Sequence, residues 1–149
     1  MAIIKEALFT VRSVIDNLTP SGIPDGEPEV TETNTHGFIH FTPESLMLTY
    51  AESGEGGKVF TEITVSGGTA AVKRHGAIES EMVFTEGKEH SSVYEVVPYK
   101  FDVTVKTRKI RNSLSKTGGV LDIFYNMNIG GADKSVRMKL TAKEETAAH

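Results

Sequence analysis

The sequence predicts an all-β fold, a small antiparallel barrel of about eight to ten strands. Three observations lead there. Apolar and polar residues alternate at period two rather than 3.6 along most of the chain. Breaks rich in Gly, Asn, Asp and Pro recur between short β-branched and aromatic runs. No segment carries the apolar stripe of an amphipathic helix. A barrel is preferred to a sandwich because closure leaves no unpaired strand edge.

A first strand is expected over about Ala7 to Asp16, with Phe9, Val11, Ser13 and Ile15 on one face and Leu8, Thr10, Arg12 and Val14 on the other. Three prolines and two glycines in Asn17 to Pro28 then forbid regular pairing and predict a long loop. Strands follow at about Glu29 to Phe41 and Leu46 to Glu52, turning at Thr42-Pro43-Glu44-Ser45. Ser53 to Gly57 reads as a flexible hairpin. Val59, Thr61, Ile63 and Val65 form one face of the next strand, which ends at the hairpin signal Gly67-Gly68.

Short strands are expected at about Thr69 to Arg74, Ile78 to Thr85 and Ser91 to Val97, with Pro98 marking a bend or an edge. Phe101, Val103 and Val105 define an inward face, but past Thr107 the phase changes, and a bulge is needed to return Ile110 to the core. Leu121 to Ile129 and Val136 to Leu140 form a last hairpin around Gly130-Gly131. The whole of 1–149 reads as one domain, with a frayed polar tail from about Ala142 to His149.

Composition removes several chemistries. With no cysteine there is no disulfide, thiolate metal site or thiol nucleophile. Lys5 and Glu6 interrupt the start before a signal-peptide core forms, and no apolar run is long enough for a membrane helix, so the expectation is a cytoplasmic protein without a membrane partner. A net charge of −4 argues against a surface devoted to nucleic acid.

The order of several short motifs resembles the YwiB-like proteins, a bacterial family of unknown function with a calycin, lipocalin-like β-barrel. The stretches are Thr35-His36-Gly37-Phe38, Arg74-His75-Gly76-Ala77, Phe84-Thr85-Glu86-Gly87 and Tyr125-Asn126-Met127. The resemblance spans about Phe9 to Thr141. It implies a fold and no catalytic residues, since the family carries no assigned activity. Asn126 stands where the family often has an acidic residue.

The candidate chemistry is sparse. His36 and His40 form an H-x-x-x-H pair, but on a strand they lie about 13 Å apart, too far to share one metal ion. Glu79 and Glu81 share a strand face at about 7 Å and read as ordinary exposed acids. In the basic run Lys106 to Arg111, Lys106 and Arg108 would face opposite to Lys109 and Arg111 on a regular strand, which predicts a solvated strand end and no single stripe. Arg74, ending a strand beside His75-Gly76, is placed at a barrel rim where a guanidinium suits a carboxylate or phosphate, with Arg12, Arg108 and Tyr125 as partners if register permits.

The function read from this pattern is a module binding an apolar or anionic small molecule in or at the mouth of the barrel. No cofactor or metal is called for, and no catalytic residue is named. The alternative is a filled barrel whose outer surface, with Leu8 and Val14 on it, meets a protein partner or a second copy.

Overall fold

The computed structural model describes residues 3–54 and 56–145. Ten strands follow one another: β1 (Ile3–Asn17), β2 (Glu29–Phe41), β3 (Leu46–Gly54), β4 (Gly57–Ser66), β5 (Thr69–Gly76), β6 (Glu79–Thr85), β7 (Glu89–Val96), β8 (Tyr99–Asn112), β9 (Gly118–Ile129) and β10 (Ala132–Glu144). Each pairs antiparallel with its neighbours in sequence, and β1 closes the barrel against β10 from Ala7↔Glu144 to Asn17↔Lys134. Among the described residues, no helix is long and apolar enough to cross a membrane.

Alternation places the core. Phe9, Ile39, Leu48, Ile63, Leu121 and Leu140 are at most 1% exposed and fill the half of the barrel where β1 begins and β10 ends. Burying each large side chain contributes about 1.5–3 kcal/mol. Gly37 permits the closest backbone approach in this wall: a Cβ there would lie 2.0 Å from the Thr49 carbonyl oxygen and 2.9 Å from the Phe9 ring. At the opposite, open end, Gly130 and Gly131 take φ of +57° and +89°, the left-handed pair that a tight β9–β10 hairpin requires.

The strand boundaries differ from expectation mainly at the ends. β1 begins four residues earlier at Ile3, and the expected tail is partly strand, because the inward alternation Val136, Met138, Leu140 continues to Ala142. Ala142 is 5% exposed between its register partners Phe9 and Gly119. Glu55 of the β3–β4 hairpin and residues 146–149 of the tail, His149 included, lie outside the described residues.

The bulge in β8 is present, as a register shift between Thr107 and Lys109 against β9. Thr107 points inward at 1% exposure, and Ile110 rejoins the core on the other side of the shift. The same bulge corrects the reading of the basic run. Inserting one residue reverses the later alternation, so Lys106, Arg108, Lys109 and Arg111 are all exposed on the outer wall.

Candidate functional site

The open half of the barrel is not packed shut. A cavity of about 300 Å³ enters it from the hairpin end. Its apolar wall includes Met82, Phe84, Met127 and Met138, and its polar groups include Arg74, Ser80, Tyr94, Tyr125 and Lys134.

Register explains the polar side. Tyr50, Thr61, Arg74, Ser80 and Tyr94 are successive partners across β3, β4, β5, β6 and β7, so a single inward row carries five polar side chains in an otherwise apolar interior. Tyr125 on β9 reaches the same space and meets Phe84, ring centroids 4.6 Å apart. Lys134 stands on the wall beside it, its Nζ donating to Asn17 Oδ1 at 2.6 Å.

The electrostatics centre on Arg74, which forms no ion pair among the described residues. Burial pushes the Tyr125 phenol up to about 12, while the Arg74 charge pulls it back. Burial and the Glu52 carboxylate likewise push the Tyr50 phenol well above its ordinary value, again opposed by Arg74. Thr61 lies near enough to Tyr50 to help draw its pKa down. Yet no contact of hydrogen-bonding geometry reaches Thr61 Oγ1, which is buried without a partner. A guanidinium free of carboxylate that shares one cavity with Ser80, Tyr94 and Tyr125 forms a site that a polar ligand atom would complete.

Of the four residues singled out from sequence, the fold brings together Arg74 and Tyr125 only. Arg12 lies between the inward Val11 and Ser13 and is therefore exposed on the outer wall, opposite Glu32 and Lys139. Arg108 occupies the bulge and is also exposed. Neither converges on the cavity. Thr61, Ser80, Tyr94 and Lys134 were not singled out for the site. Thr61 left a trace in the text, a polar residue at an inward position between Val59 and Ile63; its link to Arg74 depends on register.

The remaining candidates sit outside the barrel. His36 pairs with Glu145, and His40 Nε2 is 3.1 Å from Thr49 Oγ1. Glu79 pairs with His75 at 2.6 Å and accepts from the Gly76 amide, which holds its carboxyl below the usual range. Among the described residues, no group of three or more His, Asp or Glu side chains is placed to hold a metal. A larger depression of about 480 Å³, with Phe38, Phe60, His36 and His75 on it, lies on the outer wall of β2 to β5. Tyr50 and Thr61 are among its lining residues, but Arg74 and Tyr125 are not.

Fold and site define a closed ten-stranded barrel, filled at one end and open at the other over an arginine and two tyrosines. The chain belongs to the family described as Domain of unknown function (DUF1934), whose model matches residues 18–141. It is similar to the uncharacterized beta-barrel protein YwiB of Bacillus subtilis (strain 168), with 29% identity over 139 residues, 93% of this chain and 92% of that protein. The crystal structure of the ywiB protein from Bacillus subtilis superimposes with a TM-score of 0.84 at 28% identity, covering 96% of this chain and 94% of that one.

Proposed function

We propose that the chain is a binding protein that holds a small amphiphilic anion in the open half of its barrel, in the manner of lipocalin-like calycins. The observation that carries this reading is Arg74, inward-facing and without a carboxylate ion pair among the described residues, on the wall of a cavity whose other surfaces include methionine, phenylalanine and tyrosine, with Lys134 as a second cation. A carboxylate or phosphate takes the guanidinium in paired hydrogen bonds. Ser80 and the Tyr94 and Tyr125 hydroxyls line the same cavity and would orient it, and an apolar body of modest size would lie against Met82, Phe84 and Met138. At about 300 Å³ the cavity is at the lower end of small-molecule sites, which favours a compact ligand over a long-chain lipid.

Thermal unfolding tests the reading with medium-chain and aromatic carboxylates and their phosphate counterparts. Anion-headed members are expected to raise Tm. Saturation at a hundred times Kd corresponds to about 2.7 kcal/mol of added stability. Arg74→Met is expected to abolish the shift while leaving the unliganded Tm close to the parent. If no compound shifts Tm at millimolar concentration, or if Arg74→Met keeps the shift, the reading fails. The competing reading, a protein-interaction module, rests on Val97, Tyr99 and Phe101, exposed at the β7–β8 hairpin tip.

A further inference from the structure

The outer wall of β8, β9, β10 and β1 carries a concentration of positive charge that the net charge of −4 conceals. The β8 bulge turns Lys106, Arg108, Lys109 and Arg111 outward together. Register adds two rows beside them. Arg111, Asp122, Lys139 and Arg12 are successive partners across the four strands, and Lys109, Phe124 and Arg137 run parallel one step along. Seven cations thus share one face.

The acids around them leave most of that charge free. Asp122 is bound to Arg137 at 3.1 Å, and Glu86 accepts from the Ile110 amide. Glu89 and Glu32 are register neighbours of Lys106 and Arg12. Among the described residues, none of Arg12, Lys106, Arg108, Lys109, Arg111 and Lys139 forms an ion pair. The wall is also concave at its centre: a pit of about 410 Å³ is lined by Arg111, Asn112, Ser113, Asp122, Arg137 and Lys139.

We propose that this face binds the phosphate backbone of a nucleic acid without reading its bases. Four of the seven cations are arginines, which grip phosphate through paired hydrogen bonds. Alternate residues along a strand are about 7 Å apart and neighbouring strands about 4.8 Å, so the cations form a regular array suited to an evenly charged chain. The face lacks what other partners use. Of the exposed large apolar residues, Ile23, Phe38, Phe60 and Val97 lie on other strands and loops, while Ile4 on β1 and Tyr99 and Phe101 on β8 stand five or more residues along their strands from the nearest of these cations, leaving no aromatic anchor among the cations for a protein interface or an inserted wedge for a bilayer. Phe124 is covered by the Arg137 guanidinium, 4.8 Å from its ring centroid, and offers no platform for stacking a base.

Fluorescence anisotropy with labelled 20-nucleotide RNA, single-stranded and duplex, tests this on the intact chain. Binding of either at about 50 mM salt is expected, with log K falling against log salt at a slope of about −3 if three or four phosphates are neutralised. Charge reversal at Arg111→Glu with Lys139→Glu is expected to weaken binding at least about tenfold. Lys58→Glu with Lys73→Glu, the same charge change on the β4–β5 wall, is expected to leave it within about twofold. Arg12→Glu provides a second probe of the same face, and circular dichroism checks that each variant is folded. No binding of either RNA, equal loss in the two double variants, or tighter binding to poly-glutamate or to phosphatidylserine vesicles than to RNA would each overturn the proposal.

Discussion

Phe84 and Tyr125 meet inside the barrel with ring centroids 4.6 Å apart, one on β6 and the other on β9. The contact fixes a phenol within the field of Arg74 while surrounding it with apolar surface, and that combination makes its ionisation a property of the fold.

Because burial raises the Tyr125 pKa from 10.0 to about 12, the native state favours the neutral phenol. Its stabilising effect is complete below about pH 10 and is lost as pH rises toward 12, amounting to about 3 kcal/mol. Tyr50 shifts in the same direction. Urea unfolding of Tyr125→Phe is expected to show a shallower loss of stability over this interval than the parent. Parallel curves would refute the assignment.

Thr61→Val removes a buried hydroxyl that has no hydrogen-bond partner and replaces it with a methyl of similar shape. Stability is expected to rise by about 1 kcal/mol, read from the urea midpoint at constant m-value. A fall in stability would show that the hydroxyl is satisfied in solution.

Gly37→Ala places a methyl 2.0 Å from the Thr49 carbonyl oxygen and 2.9 Å from both Phe9 and the Tyr50 Cβ. Thr49 and Tyr50 are held by the β2–β3 ladder, and Phe9 and Tyr50 by the packed core, so relaxation is restricted. A loss of about 3 kcal/mol or more is expected from thermal or urea unfolding. A loss below 1 kcal/mol would mean that β2 and β3 separate more easily than their pairing suggests.

Deleting Arg108 should leave both faces of β8 in place. Arg108→Gly keeps the bulge and is expected to cost under about 1 kcal/mol. Deletion removes the extra residue and makes Thr107↔Tyr125 and Lys109↔Phe124 consecutive pairs of one regular ladder, with Ile110 still inward and Lys109 and Arg111 still outward. The deleted chain is expected to stay soluble and to melt cooperatively, within about 2 kcal/mol of the parent by urea unfolding. Loss of the cooperative melt would show that the bulge itself, and not only the faces it sets, holds β8 in the barrel.

The β6–β7 ladder consists of Glu79↔Glu95 and Ser80↔Tyr94 alone, whereas β9 is paired along its length on both sides. Hydrogen exchange is expected to be fast in Glu81 to Thr85 and Ser91 to Val93 and slow in Leu121 to Tyr125. Uniform protection around the barrel would contradict this. Fast exchange at β6–β7, beside Ser80 and Tyr94, would mark the wall most able to admit a ligand.

Amino-acid order alone determined the all-β class, most hairpins, the inward faces and the need for a bulge after Thr107, because alternation and turn chemistry act over a few neighbouring residues. The inward orientation of Arg74 and Tyr125 is likewise local. Which polar residues meet is not: Tyr50, Thr61, Arg74, Ser80 and Tyr94 share a row only through four separate ladder registers. Register is a property of paired strands, so tertiary structure excluded Arg12 and Arg108 from the cavity. Pairing then set β10 beside β9 and β9 beside β8, and closure set β1 beside β10, joining Arg12, Arg137 and Lys139 to a basic run that lies strands away from them in sequence. Net charge sums over the whole chain and cannot reveal such a face; the spatial arrangement of strands can.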